Sequence, residues 1–204
     1  MVSASTRSEP ERYLPGTVER STKILVTGDF GVGKTTLVES VSEIRPLRTE
    51  ALMTKASEGI DDLSLLPDKT HTTVAMDFGR RTLNDELVLY LFGAPGQRRF
   101  WSMWEGLAKG AIGVLVLIDS RRLQGSFEVL DQLELRGDSL PFAVAINEFP
   151  NSEPHSDAEL REALDLLEDT PLVRCDALKD PNSCIDALIA LVEHAFTAKE
   201  AAAR

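Results

Sequence analysis

The chain has 204 residues, of which 43% are hydrophobic, and its 22 basic and 33 acidic residues give a net charge of −11. This length supports one well-buried core and is too short for two ordinary domains. The acidic balance repels polyanions, so we expect no nucleic-acid binding, whereas a local site for a small phosphate ligand is compatible with it. Cys175 and Cys184 have neither a zinc-ligand spacing nor a disulfide framework, which favours a reducing cytoplasm.

The sequence predicts a single folded domain over residues 21–198. Residues 1–20 are polar, contain two prolines and show neither a helical nor a strand period, so we expect a flexible N-terminal tail. We assign residues 199–204 to a C-terminal tail. The longest apolar run, residues 111–118, is far shorter than the ~20 residues that span a bilayer. It predicts a buried strand, and we expect no direct membrane span.

Apolar, β-branched runs alternate with helical patterns from Lys23 onward. This alternation predicts a parallel sheet that is covered by helices on both faces. The connection GRRTLNDE is too short for a crossover helix, so it predicts an antiparallel hairpin. The predicted strands are 23–27, 73–78, 87–92, 111–118, 142–147 and 171–175, and the predicted helices begin at 33 and lie near 126–136, 157–168 and 181–198.

The segment GDFGVGKT, residues 28–35, follows the first predicted strand and opens a helix. It matches the pattern G-x-x-x-x-G-K-[ST], in which backbone N–H groups surround phosphate oxygens at the positive end of a helix. We expect Lys34 to contact the β- and γ-phosphates and the hydroxyl of Thr35 to bind Mg²⁺. The residues assigned to the nucleotide site in this segment are Gly28, Asp29, Phe30, Gly31, Val32, Gly33, Lys34, Thr35 and Thr36.

The order of the motifs resembles that of the Ras-like small GTPase superfamily over residues 22–197. The P-loop is followed by a long loop, TTVAMDF, a hairpin and GAPGQ. The resemblance implies an α/β Ras-like G domain, with a mostly parallel six-stranded sheet that contains one antiparallel strand. It implies GTP and GDP as ligands with Mg²⁺, which Thr35 and Thr73 would hold. Gly96 would donate an amide to the γ-phosphate, and Gln97, with Lys34 and Thr73, would form the catalytic set.

Four segments resemble more closely the conservon-type GTP-binding proteins of actinobacteria, relatives of the bacterial MglA-type GTPases. They are FGVGKTT, KTHTTVAMDFGR, YLFGAPGQRRFWSMW and GAIGVLVLIDSRRL. Most Ras-like proteins carry a metal-directed aspartate at the place of Gly93, whereas a glycine is ordinary in this group. The resemblance implies assembly with a sensor-kinase-like membrane protein and a roadblock-type small protein. It also implies a cytoplasmic location, peripheral at the membrane through those partners.

The motif that recognises the base is incomplete. The superfamily pattern N-K-x-D is expected after FAVAIN, where the chain has Asn147 but carries Pro150 in place of the aspartate. Loss of a buried bidentate acceptor costs about 1–3 kcal/mol, which weakens selectivity for guanine. Asp176 and Ala177 stand where the resemblance places the loop behind the base, and we expect the amide of Ala177 to donate to guanine O6.

Other features bear on hydrolysis and on partners. Phe30 stands where most Ras-like proteins have glycine, and we expect its bulk to crowd Gln97 and to slow hydrolysis. Residues 100–104 carry Phe, Trp, Met and Trp, and adjacent aromatic side chains cannot all face inward, so we expect part of this group to form a partner surface. Arg98 and Arg99 are expected to be solvated, and Asp119 is expected to be structural.

Three functions are compatible with these motifs. The first is a signalling switch that binds GTP and hydrolyses it slowly with Mg²⁺. The second is a nucleotide-binding scaffold without hydrolysis, which Phe30, Gly93 and Pro150 favour and which Gln97 opposes. The third is a P-loop ATPase or kinase, favoured by the loss of the guanine-binding aspartate, although the chain lacks the arginine-rich lid of a kinase.

Overall fold

The computed structural model describes residues 14, 16–52, 73–96, 102–135, 140–150 and 152–202. Within these ranges the strands are β1 (Arg20–Thr27), β2 (Leu47–Leu52), β3 (Thr73–Thr82), β4 (Leu87–Gly93), β5 (Gly113–Asp119), β6 (Phe142–Asn147) and β7 (Leu172–Cys175). The helices are α1 (Lys34–Val41), α2 (Ser102–Ala108), α3 (Gln124–Leu135), α4 (Asp157–Ala163) and α5 (Pro181–Ala202). The flexible tail predicted for residues 1–20 lies mostly outside the described residues.

The strands form one sheet in the order β2-β3-β4-β1-β5-β6-β7. Strand β3 is antiparallel to both of its neighbours, and the other neighbouring pairs are parallel. The hairpin between β3 and β4 closes through Leu83 N–H, which donates to Leu87 O, while Asn84 Oδ1 accepts from the amides of Glu86 and Leu87. The predicted hairpin and the single antiparallel strand are therefore confirmed.

All six predicted strands are present, and the structure adds a seventh, β2, in a segment that was expected to be a long loop. The sequence of β2, LRTEAL, has a charged or polar residue at three of its six positions. It pairs antiparallel with β3 at the edge of the sheet, from Leu47 opposite Phe78 to Leu52 opposite Thr73. An edge strand of this kind depends on its neighbour, so its own composition gave no strand signal.

Two hydrophobic clusters cover the two faces of the sheet. Helices α1 and α5 contribute Leu37 and Leu191 to one cluster, and α2, α3 and α4 supply Trp104, Val129 and Leu160 to the other. All seven residues of β5 are buried, because a strand in the middle of a covered parallel sheet faces helices on both sides.

Two helix boundaries differ from the prediction. Helix α4 begins at a capping box in which Ser156 and Glu159 exchange hydrogen bonds, but it ends at Ala163, five residues before the predicted end at 168. Asp165 follows it with a φ of 50°, a conformation that does not continue a helix. Helix α5 begins after Asp180, whose carboxylate accepts from Asn182 N–H in the manner of a capping residue. The helix continues to Ala202, beyond the expected end at 198.

Candidate nucleotide-binding site

The P-loop joins β1 to α1 at the edge of the sheet where the parallel strands end. Ligands of open α/β sheets bind at this edge, beyond the carboxyl ends of the strands. Gly33 lies just before α1 with a φ of 98°, and a Cβ added to it would lie 2.5 Å from Asn147 Nδ2. Both its left-handed backbone and its close contact with Asn147 therefore require glycine.

Lys34 lies folded across the P-loop. Its Nζ donates to Gly28 O at 2.8 Å and to Asp29 O at 2.7 Å. Burial lowers the pKa of Lys34 to about 8, although the charges of Asp29 and Asp77 act in the opposite direction. A partly desolvated ammonium whose only described acceptors are two carbonyl oxygens is well placed to exchange them for phosphate oxygens.

Gly96 of the segment GAPGQ lies directly against this lysine. A Cβ added to Gly96 would lie 2.9 Å from Lys34 Nζ and 2.8 Å from the carbonyl carbon of Asp29. The structure thus brings together Lys34 and Gly96, which the sequence assigned to the same phosphate from segments 62 positions apart. No larger residue at position 96 would allow this approach.

Thr35 is hydrogen-bonded to a carboxylate to which none of the sequence motifs assigns a role. Its Oγ1 donates to Asp77 Oδ2 at 2.6 Å. Asp77 lies on β3 opposite Gly93 of β4, and it is 8% exposed. The available signal was an ionisable residue within the mostly apolar stretch TVAMDF, but only the structure shows that this residue contacts Thr35.

Asn147 connects the P-loop to the loop after β7. Its Nδ2 donates to Val32 O at 2.9 Å, and its Oδ1 accepts from Ala177 N–H at 3.0 Å. The side chain is 3% exposed, so both hydrogen bonds are shielded from water. The amide of Ala177, which we expected to donate to guanine O6, is engaged by Asn147 in this structure.

A cavity of about 110 Å³ opens beside Asn147, and it is lined by Gly33, Thr36 and residues 147–150 and 176–179. This is where the base of a P-loop-bound nucleotide is expected. Asp176 shapes one wall, because its Oδ1 accepts from the amides of Leu178 and Lys179 at 3.1 and 2.9 Å. Pro150 contributes no side-chain acceptor to this cavity, so the carboxylate of the guanine motif has no replacement at that position.

The middle of the P-loop faces outward. Asp29 Oδ1 accepts from the amide of Phe30 at 2.6 Å, and Arg122 Nη2 donates to Phe30 O at 3.2 Å. The side chain of Phe30 is 68% exposed, whereas Val32 is buried beneath the loop. Phe30 therefore presents an apolar side chain at the mouth of the site.

Asp119 binds arginines at the end of β5. Burial favours its neutral form, but hydrogen bonds from the side chain and backbone of Arg121, together with the charges of Arg121 and Arg122, hold its pKa below the ordinary range. The bidentate contacts with Arg121 measure 2.9 and 2.7 Å. The guanidinium carbon of Arg121 lies 4.0 Å from the centre of the Phe149 ring, which lines the cavity. Asp119 therefore orders the cavity wall by holding Arg121 in place.

Several assigned residues fall outside the described parts of the chain. They are Gln97, Arg98, Arg99, Phe100 and Trp101. Thr73 begins β3, but nothing is described of its side chain.

The structure places one member of the aromatic group in the core. Trp104 is fully buried in the cluster under α2, and its Nε1–H donates to Pro95 O at 3.2 Å. Trp104 therefore does not belong to the part of the group that we expect to form a partner surface, because its ring is packed in the core.

Comparisons with known proteins agree with this site. The model of a family described as conserved hypothetical ATP binding proteins matches residues 26–198. The uncharacterized protein MJ1339 of Methanocaldococcus jannaschii is 32% identical over 127 residues, which cover 61% of this chain and 68% of that protein.

The fold is similar to that of solved G domains. The G domain of the T. maritima FeoB iron transporter matches with a TM-score of 0.54 and 18% identity, over 86% of this chain and 99% of that one. The cytosolic domain of the same transporter matches in its apo form with a TM-score of 0.60 and 18% identity, and in a GDP form with 0.57 and 17%. Each of these two matches covers 86% of this chain and 64% of the transporter's domain.

The fold and the site define a P-loop nucleotide-binding protein with the α/β fold of a G domain. Within that class, the chain belongs to the family of conserved hypothetical ATP binding proteins, whose model covers its P-loop, both β-hairpin strands, helices α1 to α4 and α5 as far as residue 198. In the described part of the chain no helix combines the length and apolarity needed to span a membrane.

Proposed function

We propose that the protein is a molecular switch that binds GTP and hydrolyses it slowly with Mg²⁺. The observation that carries the proposal is the contact between Lys34 and Gly96. We assign the segment GAPGQ as the second switch. A γ-phosphate at the P-loop would contact both the ammonium of Lys34 and this segment, so loss of the phosphate would release the residues that follow Gly96. Coupling of this kind distinguishes a switch from a site that merely holds a nucleotide.

The residues present are suited to Mg²⁺. Mg²⁺ prefers oxygen ligands and is commonly held by one or two protein groups together with substrate phosphates. Thr35 would be the ligand from the P-loop, with Thr73 from the start of β3. Bound there, the metal would neutralise charge on the β- and γ-phosphate oxygens. The described residues include no cluster of three or more His, Cys, Asp or Glu, so the site would depend on the nucleotide to complete it.

The choice of guanine rests on the resemblance of the motif order to Ras-like proteins and on Asn147, the residue of the guanine motif that this chain keeps. This side chain lies at the base cavity between Val32 and Ala177, in contact with both. Pro150 removes the acceptor that would bind the guanine N1–H and N2–H₂ groups, so the preference for GTP should be modest. A P-loop ATPase is the second candidate, and Pro150 together with the description of the family favours it.

The cellular setting is proposed from the four segments that resemble conservon-type proteins. A sensor-kinase-like membrane protein and a roadblock-type small protein would be the partners, and they would bring the protein to the membrane surface. A switch with slow hydrolysis needs such partners to detect or to end its active state.

Calorimetric titration with GTP and ATP tests the choice of base. We expect the parent protein to prefer GTP by about tenfold or less, and Pro150→Asp to increase that preference by about 10–100-fold, because the carboxylate restores a buried acceptor. Pro154→Asp, an exposed change in the same loop, serves as the control and should alter neither affinity. Equal affinities in the parent with no gain in Pro150→Asp would instead support the ATPase or the scaffold. Lys34→Ala should abolish binding of both nucleotides.

A further inference from the structure

The second switch lacks a carboxylate at the position where P-loop proteins use one. In P-loop NTPases Mg²⁺ is held by the P-loop Ser or Thr together with an aspartate at the end of a neighbouring strand. In this chain that strand is β4, which ends at Gly93. A glycine cannot act on a metal through its side chain, so the metal site needs another source of negative charge.

Asp77 lies in the space beside Gly93. The two residues are directly opposite each other in the antiparallel pair formed by β3 and β4. A Cβ added to Gly93 would lie 3.0 Å from the Cβ of Asp77 and 3.1 Å from its Oδ2. A side chain at position 93 would therefore meet the carboxylate of Asp77. The glycine and the aspartate are complementary, since the absence of one side chain leaves room for the other.

The carboxylate of Asp77 is also joined to the P-loop hydroxyl. Thr35 Oγ1–H donates a hydrogen bond to Asp77 Oδ2. A hydroxyl that donates in this way keeps its lone pairs free to bind a cation. The side chain of Asp77 is buried, so its charge acts on its surroundings with little screening by solvent. A buried carboxylate on a metal-ligating hydroxyl is the kind of outer partner that orients a ligand and tunes a metal site.

We propose that Asp77 supplies the carboxylate of the Mg²⁺ site, in place of a residue at position 93. It does so from the neighbouring strand, by orienting Thr35 and by attracting the metal and its bound water. The inference rests on the proposed function, because the site is complete only when nucleotide phosphates are present. It makes Asp77 a positioning residue for the metal.

The binding of Mn²⁺, followed by electron paramagnetic resonance on the full chain, tests this assignment. In the presence of GDP, we expect Asp77→Asn to weaken Mn²⁺ binding about 10–100-fold, in line with the loss of other outer partners of metal ligands. GDP affinity measured in EDTA should remain close to that of the parent, since no metal contributes there. Asp131→Asn, which removes an exposed carboxylate on α3, should leave both values unchanged.

A relocated carboxylate gives the sharper test. In Asp77→Gly/Gly93→Asp both the carboxylate and the Cβ at position 77 are removed, which leaves room for an aspartate on β4. We expect Mn²⁺ binding to be weak in Asp77→Gly and to recover in the double variant, together with the slowing of GDP release by Mg²⁺. Asp77→Ala replaces Asp77→Asn if the latter does not fold, as judged by circular dichroism.

Different results would overturn the role of Asp77 and the proposed function. If GDP binds normally in EDTA and Mn²⁺ affinity is the same in the parent and in the Asp77 variants, the role of Asp77 is overturned and the nucleotide site stands. If the parent binds neither GDP nor GTP with or without metal, the proposed function is overturned, and the role of Asp77 with it.

Discussion

At the scale of single residues, the chemistry of the P-loop is dominated by Lys34. Its ammonium is removed from water and is hydrogen-bonded to two carbonyl oxygens, which carry only partial charge. Desolvation outweighs the attraction of Asp29 and Asp77, and the pKa is lowered to about 8. Polyphosphate would bring full negative charge to the same place, so binding should raise the pKa again and stabilise the protonated form.

The affinity for GDP should therefore depend on pH. Below about pH 8 the lysine of the free protein is already protonated, and affinity should be constant. Above that pH a proton must be taken up on binding, so affinity should fall by up to about tenfold per pH unit. Calorimetry from pH 7 to 9.5, in buffers of different ionisation enthalpy, measures both the affinity and the proton uptake. A constant affinity without proton uptake at pH 9 would show that the pKa of Lys34 is not lowered as described.

Phe30 is the second residue whose effect is local. Its exposed ring lies at the mouth of the P-loop. In the proposed function Gln97 orients the attacking water, and we expect the bulk of Phe30 to hinder this. We expect the parent protein alone to hydrolyse GTP at or below about 10⁻⁴ s⁻¹, the order of an unassisted Ras-like protein. Phe30→Ala should raise the single-turnover rate about tenfold, which corresponds to about 1.4 kcal/mol. Phe127→Ala, at another partly exposed phenylalanine, is the control, and fast hydrolysis by the parent would contradict the argument.

At the scale of elements, the site depends on which strands are neighbours. The P-loop could be predicted from the sequence because its chemistry is contained in eight consecutive residues. The hairpin could also be predicted, because its connection was too short for a helix. The pairing of Asp77 with Gly93 could not, since it depends on the register of two strands that are separated by a turn.

Strand β2 and the burial of Trp104 also depend on contacts that the sequence pattern does not show. Strand β2 could not be predicted because LRTEAL has no strong strand pattern of its own. The strand is stabilised by its pairing with β3. For residues 100–104 the sequence showed that some aromatic rings must be exposed, but it could not show which. The structure assigns Trp104 to the core, where its indole N–H finds Pro95 O.

Trp104 should therefore behave as a core residue. Trp104→Ala removes a fully buried ring and a hydrogen bond beside Gly96, so we expect the free energy of unfolding to fall by about 3–5 kcal/mol. Leu135→Ala, at a position that is 77% exposed, should change it by no more than about 0.5 kcal/mol. Urea denaturation followed by circular dichroism gives both values. Equal, small losses would mean that the ring of Trp104 is not packed as described.

At the scale of the whole molecule, the proposal describes two states of one surface. The segment after Gly96 would be held when a γ-phosphate contacts the P-loop and released when it is lost. In the described structure Pro95 O accepts a hydrogen bond from Trp104 of α2, and Gly96 lies against Lys34. A change at the phosphate can therefore be transmitted to α2 through these two residues. A partner that binds this surface would distinguish the two nucleotide states.

A roadblock-type small protein is the partner that we expect to make this distinction. It should capture the triphosphate-loaded form more strongly than the diphosphate-loaded form, because only the former holds the second switch. Pull-downs with the protein loaded with a non-hydrolysable GTP analogue or with GDP measure the difference. Trp101→Ala should reduce capture with little change in nucleotide affinity. Equal capture of both loaded forms would reject the switch.

The most direct test of the central claim is the identity of the nucleotide that the protein retains. The purified protein is incubated with equal concentrations of GTP and ATP in Mg²⁺, desalted and heated, and the released nucleotides are separated by chromatography. We predict that GTP and GDP together exceed ATP and ADP, that the total approaches one nucleotide per chain, and that Lys34→Ala releases almost none. Release of adenine nucleotides alone, or of the same small amount from the parent and from Lys34→Ala, would contradict the account.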